Sequence, residues 1–241
     1  TPSQNLVDDY EMIDGSKFDW NNPEHALSPY SNRDPRLALS IYTNGSSFKN
    51  TTIETFEGGA HKRIKNGTTT GYYLRKFVDS NIDLVVNGTS NHPWVIFRIS
   101  EIYLNYAEAL NESGATKTDV LTWVDLIRER AGLKGVEESW DTYTNNKKYE
   151  TIDGRREIIQ QERGIELAFE AQRFWDLRRW KLAFQEQNKP ITGWNTQYST
   201  NEDYYTEQLI YTQEFRIRNY FWPILDKELY SNKNLVQNYG W

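Results

Sequence analysis

The stretch DGRREIIQQERGIELAFEAQRFWDLRRWKLA, residues 153–183, carries most of the information about fold in this chain of 241 residues. It contains no proline and is rich in residues of high helix propensity, which predicts helix. Ile158, Ile165 and Phe169 recur at the spacing of one helical face, as expected of a core-facing stripe. The charged residues on nearly the same face are Glu162, Glu166, Arg173 and Asp176. This arrangement predicts carboxylates and guanidiniums paired inside the fold.

Two interpretations of that charged face are open. Two carboxylates are the machinery of a glycoside hydrolase, in which one of them acts as a general acid. Nearby arginines lower the pKa of a carboxyl group, however, whereas a general acid needs a raised pKa. The pattern therefore favours a buried structural salt-bridge network with a tryptophan-rich cap. The residues assigned to that network are Glu162, Glu166, Arg173, Asp176 and Trp180.

The motif ER-x2-ELAFE-x2-R-x2-DLRRW, from Glu162 to Trp180, closely resembles the C-terminal signature of the SusD/RagB family. Other segments resemble family elements in the same order: TPSQNLVDDYEMIDG at 1–15, NRDPR at 32–36, YLNYAEA at 103–109 and QN at 237–238. Members of this family are outer-membrane nutrient-binding lipoproteins that work with a TonB-dependent transporter. The resemblance therefore implies a binding protein rather than an enzyme.

The resemblance also implies a fold class, which is mainly α, with TPR-like helical pairs, long irregular loops and short β-hairpin excursions. It implies a C-terminal portion of such a protein, with a loop and hairpin segment at 1–93, helical pairs at 94–187, and a polar loop with a docked tail at 188–241. The expected location is the outer-membrane surface. The only membrane contact expected is a lipid anchor on the N-terminal part that precedes this segment.

The first helical pair is predicted from hydrophobic spacing and stop signals. Residues 94–112 predict a helix that Gly114 ends, and a second helix runs from caps at Thr118 or Asp119 to Gly132. The residues predicted to face the core from the first helix are Ile99, Ile102, Tyr103, Tyr106 and Leu110. Those from the second are Val120, Leu121, Val124, Ile127 and Ala131. The second pair is predicted over 153–172 and 174–187, after a polar loop at 133–152.

Outside these helices the sequence predicts short strands and loops. Asn-Gly pairs favour hairpin turns, and β-prone segments lie before the first pair and between the pairs. The pairs are Asn44–Gly45, Asn66–Gly67 and Asn87–Gly88, and the segments are 37–42, 51–56 and 70–77. Residues 188–214 are polar and aromatic and predict loop, whereas a short helix is predicted at 226–231. Asp34 before Pro35 predicts a capped turn tied by an ion pair.

Composition excludes several functions. The net charge of −6 argues against a nucleic-acid partner. There is no cysteine, and the three histidines, His25, His61 and His92, have no metal-binding spacing such as H-E-x2-H. No G-x-S-x-G nucleophile motif is present. We therefore expect no catalytic residue, metal or cofactor.

Aromatic residues make up 15% of the chain, including nine Trp and sixteen Tyr. They either replace aliphatic residues in the core or form surfaces on which sugar rings stack. Those in loops with polar neighbours are the candidates for ligand contact, although no family motif fixes these positions. The residues assigned to ligand binding are Trp20, Tyr30, Phe18, Asn22, Arg36, Trp194 and Tyr198, with Asn21 and His61 as further hydrogen-bonding candidates.

The resemblance thus implies a cell-surface nutrient-binding protein whose ligand is a glycan and whose partner is a SusC-like TonB-dependent transporter. Two other classes stay open. RagB-like relatives are associated with peptides, and a TPR-like adaptor would also bind peptide segments. A glycoside hydrolase with paired carboxylates is the enzyme alternative.

Overall fold

The computed structural model describes residues 1–62, 67–79, 94–143, 146–199 and 201–241, without the side chains of residues 201 and 202. The described chain is mainly helical with a few short strands, which confirms the predicted fold class. Its α-helices are α1 Gln4–Asp9, α2 Pro23–Leu27, α3 Pro35–Ser40, α4 Ile99–Glu112, α5 Lys117–Ala131, α6 Val136–Tyr143, α7 Ile152–Glu166, α8 Gln172–Arg179, α9 Ala183–Glu186, α10 Asn201–Tyr204 and α11 Asp226–Ser231. Short 3-10 helices lie at Lys148–Glu150 and Ile217–Tyr220.

Strands form three separate antiparallel pairs. The strands are β1 Ile41–Tyr42, β2 Ser47–Phe48, β3 Thr51–Thr52, β4 Tyr73–Leu74, β5 Pro190–Trp194 and β6 Glu207–Thr212. β1 pairs with β4, β2 with β3, and β5 with β6. The β2–β3 turn places Lys49 and Asn50 at positive φ, whereas the predicted Asn44–Gly45 pair makes a separate turn just before β2, with Gly45 at φ 87°. Asn66 of the second Asn-Gly pair, the whole third pair and His92 lie outside the described residues.

Helices α4, α5 and α7 form the main helical layer, since α4 packs on both of the others. Thr116 caps α5, two residues before the earlier of the two predicted caps, and Gly132 ends it at φ 84°. The predicted face of α5 is buried from Val120 to Ile127. One core cluster joins these helices to α6 and consists of Ala107, Val120, Leu121, Val124, Val136, Tyr149, Ile158 and Ile159.

A second core cluster lies at the C-terminal end of α7. It joins that end to α1, α3 and β5, so the N-terminal segment packs directly onto the helical layer. Its buried members are Val7, Tyr10, Leu37, Ile41, Tyr72, Ile165, Trp194 and Tyr204. Both candidate sites described below border this cluster. No helix among the described residues has both the length and the hydrophobicity needed to cross a bilayer.

The predicted face of α4 is wrong for three of its five residues, whereas Tyr103 and Leu110 are partly buried against core clusters. Ile99, Ile102 and Tyr106 are 61%, 46% and 48% exposed. The residues that α4 buries are instead Ser100, Leu104, Ala107 and Asn111. Small and hydrogen-bonded side chains let α4 approach its neighbours closely, and Asn111 is fully satisfied there by Arg155 and the carbonyl oxygen of Ile152. The helix also begins at Ile99, so residues 94–98 are not helical.

The predicted helix 153–172 is interrupted. α7 ends at Glu166, and Phe169 and Ala171 adopt left-handed φ angles of 67° and 65° before α8 begins. The ammonium of Lys76 donates to the carbonyl oxygens of Glu166 and Ala168, at 3.2 and 3.0 Å. A cation that satisfies the free carbonyls at a helix end stabilises that end. The interruption therefore depends on a residue far away in sequence.

Three predicted loops or strands are also corrected. The polar segment 133–152 contains α6 and the Lys148–Glu150 turn, and the aromatic segment 188–214 contains the β5–β6 pair. In 37–42, most residues belong to α3, because Asp34 accepts from the Arg36 amide and caps a helix there. The predicted capped turn with its ion pair is confirmed, since Arg36 also contacts the Asp34 carboxylate at 2.7 Å. The short helix at 226–231 is confirmed.

Candidate functional site

Two groups of side chains carry the chemistry that the sequence points to, an ionic cluster inside the fold and an aromatic cluster at its surface. The ionic cluster is built around Arg36, which reaches from the first turn of α3 to the inward face of α7. Its Nη1 donates to Glu162 Oε1 at 2.5 Å and to Glu166 Oε2 at 3.0 Å. Burial disfavours the charged guanidinium of Arg36, yet the carboxylates of Glu162 and Asp34 raise its pKa.

Two further arginines belong to the ionic cluster, and the exposed Arg130 contacts Glu166 at its edge. Arg98, just before α4, donates to Glu166 and makes a bidentate contact with Glu170 at 2.8 to 3.1 Å. Arg128 of α5 donates to Glu162 Oε2 at 3.3 Å and to Glu11 Oε2 at 2.9 Å. The members of the ionic cluster are Asp34, Arg36, Arg98, Arg128, Glu162 and Glu166.

Glu166 is not suited to act as a general acid. Burial alone would raise the pKa of its carboxyl group, but the hydrogen bond and charge of Arg98 and the charges of Arg36 and Arg130 lower that pKa to about 2. A group with that pKa is ionised at every physiological pH and holds no proton to give. The cluster thus has the chemistry of a buried structural salt-bridge network.

Of the other residues assigned to the network, some form the expected buried contacts and one does not. Asp176 is buried and accepts from Arg163 Nε at 2.6 Å and Arg179 Nε at 2.9 Å, and Trp180 Nε1 donates to Glu108 at 2.8 Å. The assignment of Arg173 to the buried network is wrong. Its side chain is 45% exposed and only approaches Glu186, at 4.0 Å, because α8 starts a new direction after the interruption at Phe169. Arginines from outside the motif take the place predicted for it.

The aromatic cluster gathers residues from four parts of the chain, namely Phe18, Trp20, Tyr30, Trp194 and Tyr205. Trp20 packs edge-on against Trp194, with ring centroids 5.3 Å apart, and against Phe18 at 4.8 Å. Trp194 Nε1 donates to the Tyr30 hydroxyl at 2.7 Å. Trp20 is 36% exposed, whereas Trp194 is buried, so Trp20 is the member that offers a ring to solvent.

Local structure explains how the cluster is held. The Arg33 guanidinium stacks on Phe18 at 3.9 Å from the ring centroid and donates to the carbonyl oxygens of Val7 and Tyr10. Trp194 is the last residue of β5, and its amide donates to the Thr70 carbonyl at 3.0 Å. These contacts fix both rings that flank Trp20.

Trp20 also has a polar partner. Its Nε1 donates to Asp8 Oδ1 at 3.1 Å. Burial raises the pKa of Asp8, although hydrogen bonds from Gln4 and Trp20 oppose that change. Exposed ring surface beside a carboxylate is an arrangement that can stack an apolar face and accept a hydroxyl hydrogen bond.

The structure brings four of the seven residues assigned to ligand binding together, Phe18, Trp20, Tyr30 and Trp194. Asn22 lies two residues beyond Trp20 and caps α2. Tyr198 is exposed but lies apart, where its carbonyl oxygen accepts from Glu57. Arg36 is a correction, because it is buried and committed to the ionic cluster and cannot reach a ligand.

Two residues of the site were missed by sequence reasoning, and two other candidates bond to residues outside the aromatic cluster. Tyr205 belongs to a Tyr-Tyr pair in a segment predicted as loop, which was the available signal, whereas nothing in the sequence marks Asp8. Asn21 bonds to Asp19, and His61 accepts from the Glu54 amide beside an apolar cavity of about 420 Å³. Within the described ranges, no group of three His, Cys, Asp or Glu side chains is placed to hold a metal ion.

Comparison with known proteins gives consistent matches. The model of the SusD family matches residues 1–241. SusD-like protein P2 of Formosa agariphila is 32% identical over 227 residues, which cover 91% of this chain and 40% of that protein. The chain therefore spans less than half the length of this curated relative.

Solved structures agree with the sequence matches. A SusD-like protein from Bacteroides fragilis is 28% identical, with a TM-score of 0.80, over 100% of this chain and 47% of that one. A SusD-like carbohydrate binding protein from the same species is 25% identical, with a TM-score of 0.75, over 98% of this chain and 48% of that one. The helical architecture described above is thus shared with both.

Proposed function

The chain belongs to the SusD family, and from that premise we propose that it binds a glycan at the bacterial outer-membrane surface and delivers it to a SusC-like TonB-dependent transporter. The observation that carries the ligand class is the aromatic cluster, in which Trp20 presents a partly exposed ring between packed aromatic neighbours and the Asp8 carboxylate. The similarity to a carbohydrate binding protein of known structure supports the same class.

A binding role without catalysis fits the chemistry of the carboxylates. The buried pair Glu162 and Glu166 is held by arginines, and the pKa of Glu166 is about 2. A hydrolase needs one carboxyl group that keeps its proton near neutral pH, together with a path for substrate. Neither carboxylate is accessible, because both side chains are at most 3% exposed.

The test is a binding measurement that compares two tryptophans. Neutral oligosaccharides and short peptides are titrated into the full chain by calorimetry, and the mixtures are then analysed for cleavage products. Trp20→Ala is expected to weaken oligosaccharide binding about tenfold or more, because it removes the one exposed ring of the cluster. The matched control is Trp175→Ala, which removes an exposed tryptophan from α8, outside the cluster.

Each outcome separates one interpretation from the others. Saturable oligosaccharide binding that Trp20→Ala alone weakens supports the proposal. Unchanged affinity in Trp20→Ala would remove the aromatic cluster from the site. Shortened sugars in the mixture would indicate a hydrolase, and binding of peptides alone would indicate a RagB-like or adaptor role.

A further inference from the structure

A groove of about 470 Å³ runs along the outer face of α7, on the opposite side of that helix from the ionic cluster. Its wall on α7 consists of Glu157, Gln160, Gln161 and Gly164, which recur at helical spacing. α1 and the turn that follows α8 face this wall across the groove. A volume of this size lies within the usual range of ligand-binding sites in proteins.

The groove offers polar groups that the fold does not use. Within the described part of the chain, the Asp9 carboxylate, the Gln160 amide and the Lys17 ammonium have no hydrogen-bonding partner, and all three line the groove. Gln161 is fixed by its bond to the Asp9 carbonyl oxygen at 3.2 Å. The carboxylate accepts hydrogen bonds, the ammonium donates them, and the amide does both. Such a set suits hydroxyl groups, which also donate and accept hydrogen bonds.

The charges that line the groove balance. Four acidic side chains, from Asp8, Asp9, Glu157 and Glu186, face four basic ones, from Lys17, Lys148, Arg173 and Lys189. Several of these pair with one another, as Lys148 does with Glu157 at 3.1 Å and Lys189 with Glu186 at 2.8 Å. A lining without net charge provides no field to attract an anionic ligand. The groove therefore fits a neutral ligand rich in hydroxyls.

An aromatic ring lies beside these polar groups. Phe169 lines the groove from the turn between α7 and α8, where its backbone adopts a left-handed φ of 67°. Non-glycine residues hold that conformation only where the surroundings impose it, and such positions are concentrated at functional sites. Lys76 binds the carbonyl oxygens of Glu166 and Ala168, which lie just before this position.

The groove and the aromatic cluster meet at one residue. Asp8 lines the groove and accepts the hydrogen bond from Trp20 Nε1 at 3.1 Å. A chain-like ligand stacked on Trp20 can thus continue into the groove. An extended peptide has less to bind at the adjacent β5, because Asn5 already occupies the outer backbone groups of Pro190 and Thr192.

We propose that this groove holds further units of a neutral oligosaccharide whose first unit stacks on Trp20. The proposal rests on the function proposed above and deepens it, since it makes the ligand a chain of several sugar units and names Asp9, Gln160, Phe169 and Arg173 as its contacts. The groove then sets the length preference of the site, whereas Trp20 sets its basal affinity.

The test measures affinity against chain length. Neutral mono-, di-, tetra- and hexasaccharides of glucose, mannose and xylose are titrated into the full chain and into the double variant Gln160→Ala, Arg173→Ala. The matched control is Gln208→Ala, which removes an exposed amide from β6. In the wild type we expect the hexasaccharide to bind about tenfold tighter than the disaccharide. The double variant is expected to lose that difference and to keep the disaccharide affinity, and its thermal melt should match that of the control.

A wild-type affinity that does not depend on the length of the saccharide would overturn the proposal that the groove binds further sugar units, and it would leave the proposed function intact. A length preference that survives in the double variant would do the same. Preference for a sulfated or uronic-acid hexasaccharide over its neutral counterpart would overturn the neutral class. If no saccharide of any length binds, the proposed function fails and this inference fails with it.

Discussion

The inward face of α7 and the outward face of α4 reverse the usual distribution of side chains. α7 buries Glu162 and Glu166, whereas α4 exposes Ile99, Ile102 and Tyr106. Both helices are long and regular, and they pack against each other. The two faces differ in what lies opposite, because arginines from three segments meet α7, and the described residues leave the outward face of α4 largely uncovered.

This difference teaches that partners decide burial more strongly than polarity does. A carboxylate enters the interior when guanidiniums supply its hydrogen bonds there, since an unpaired buried charge is very costly. An isoleucine remains at the surface when no apolar element packs over it, and single exposed apolar residues cost little. Three predictions make this comparison quantitative.

The largest effect is expected from removing Arg36, which bonds to both buried glutamates of α7. Arg36→Met keeps an unbranched apolar stem but removes the guanidinium, which leaves Asp34, Glu162 and Glu166 short of a counter-charge inside the fold. We expect a loss of about 3–5 kcal/mol in the free energy of unfolding, measured by urea denaturation. The matched variant is Arg130→Met, whose side chain is 57% exposed although it also contacts Glu166. An exposed pair contributes about 0–1 kcal/mol, so equal losses would contradict the comparison.

The second effect compares two neighbouring positions on α4. Leu104 is fully buried against Ile127 and Leu167, and Leu104→Ala is expected to cost roughly 2–5 kcal/mol because it leaves a cavity. Ile102→Ala removes a side chain of the same size from the outward face and is expected to cost under about 1 kcal/mol. Denaturation of both variants in parallel measures the difference. A larger loss at Ile102 would show that the outward face is packed in solution.

The third effect concerns acid. The folded state holds the pKa of Glu166 at about 2, below its ordinary value of 4.5, through the arginines that outweigh its burial. The stabilisation is fully present above pH 4.5 and is lost as the pH falls through 2, and it amounts to about 3 kcal/mol at neutral pH. Burial raises the pKa of Glu11, so the contribution of Glu11 to stability becomes more favourable as the pH falls.

The measurement is the free energy of unfolding from pH 7 to pH 2. Glu166→Gln should flatten the loss of stability between about pH 4.5 and 2. Glu138→Gln serves as control, since this side chain is 62% exposed and pairs with Lys134 at the surface. An acid profile that Glu166→Gln leaves unchanged would place the acid sensitivity elsewhere in the chain.

Some of the structure was predictable from the sequence. Helix propensity and stop residues located α5 and α7, and charges at core spacing pointed to buried pairs. The face of α4 was not predictable in the same way, because counting apolar residues ignores what lies opposite them. The end of α7 was also missed, since it depends on Lys76, which no local pattern near Glu166 reveals.

The candidate site was predictable to a similar extent. Loop position and aromatic character selected Phe18, Trp20, Tyr30 and Trp194, which the fold brings together. Which of them is exposed depends on tertiary packing, and the sequence gives no signal for it. The same rule wrongly selected Arg36, because a loop arginine with polar neighbours has the same local pattern whether it meets ligand or a buried carboxylate.

The ionic cluster also has a consequence for the order in which the molecule assembles. Arg36 bonds to partners 126 and 130 residues further along the chain, whereas α4 and α5 are neighbours in sequence. Contacts between distant segments form late, because a long loop must close before they gain anything. During synthesis, the segment around Arg36 leaves the ribosome before α7 does, so it can form these bonds only after α7 has been made. We therefore expect the ionic cluster to close after α4 and α5 have packed against each other.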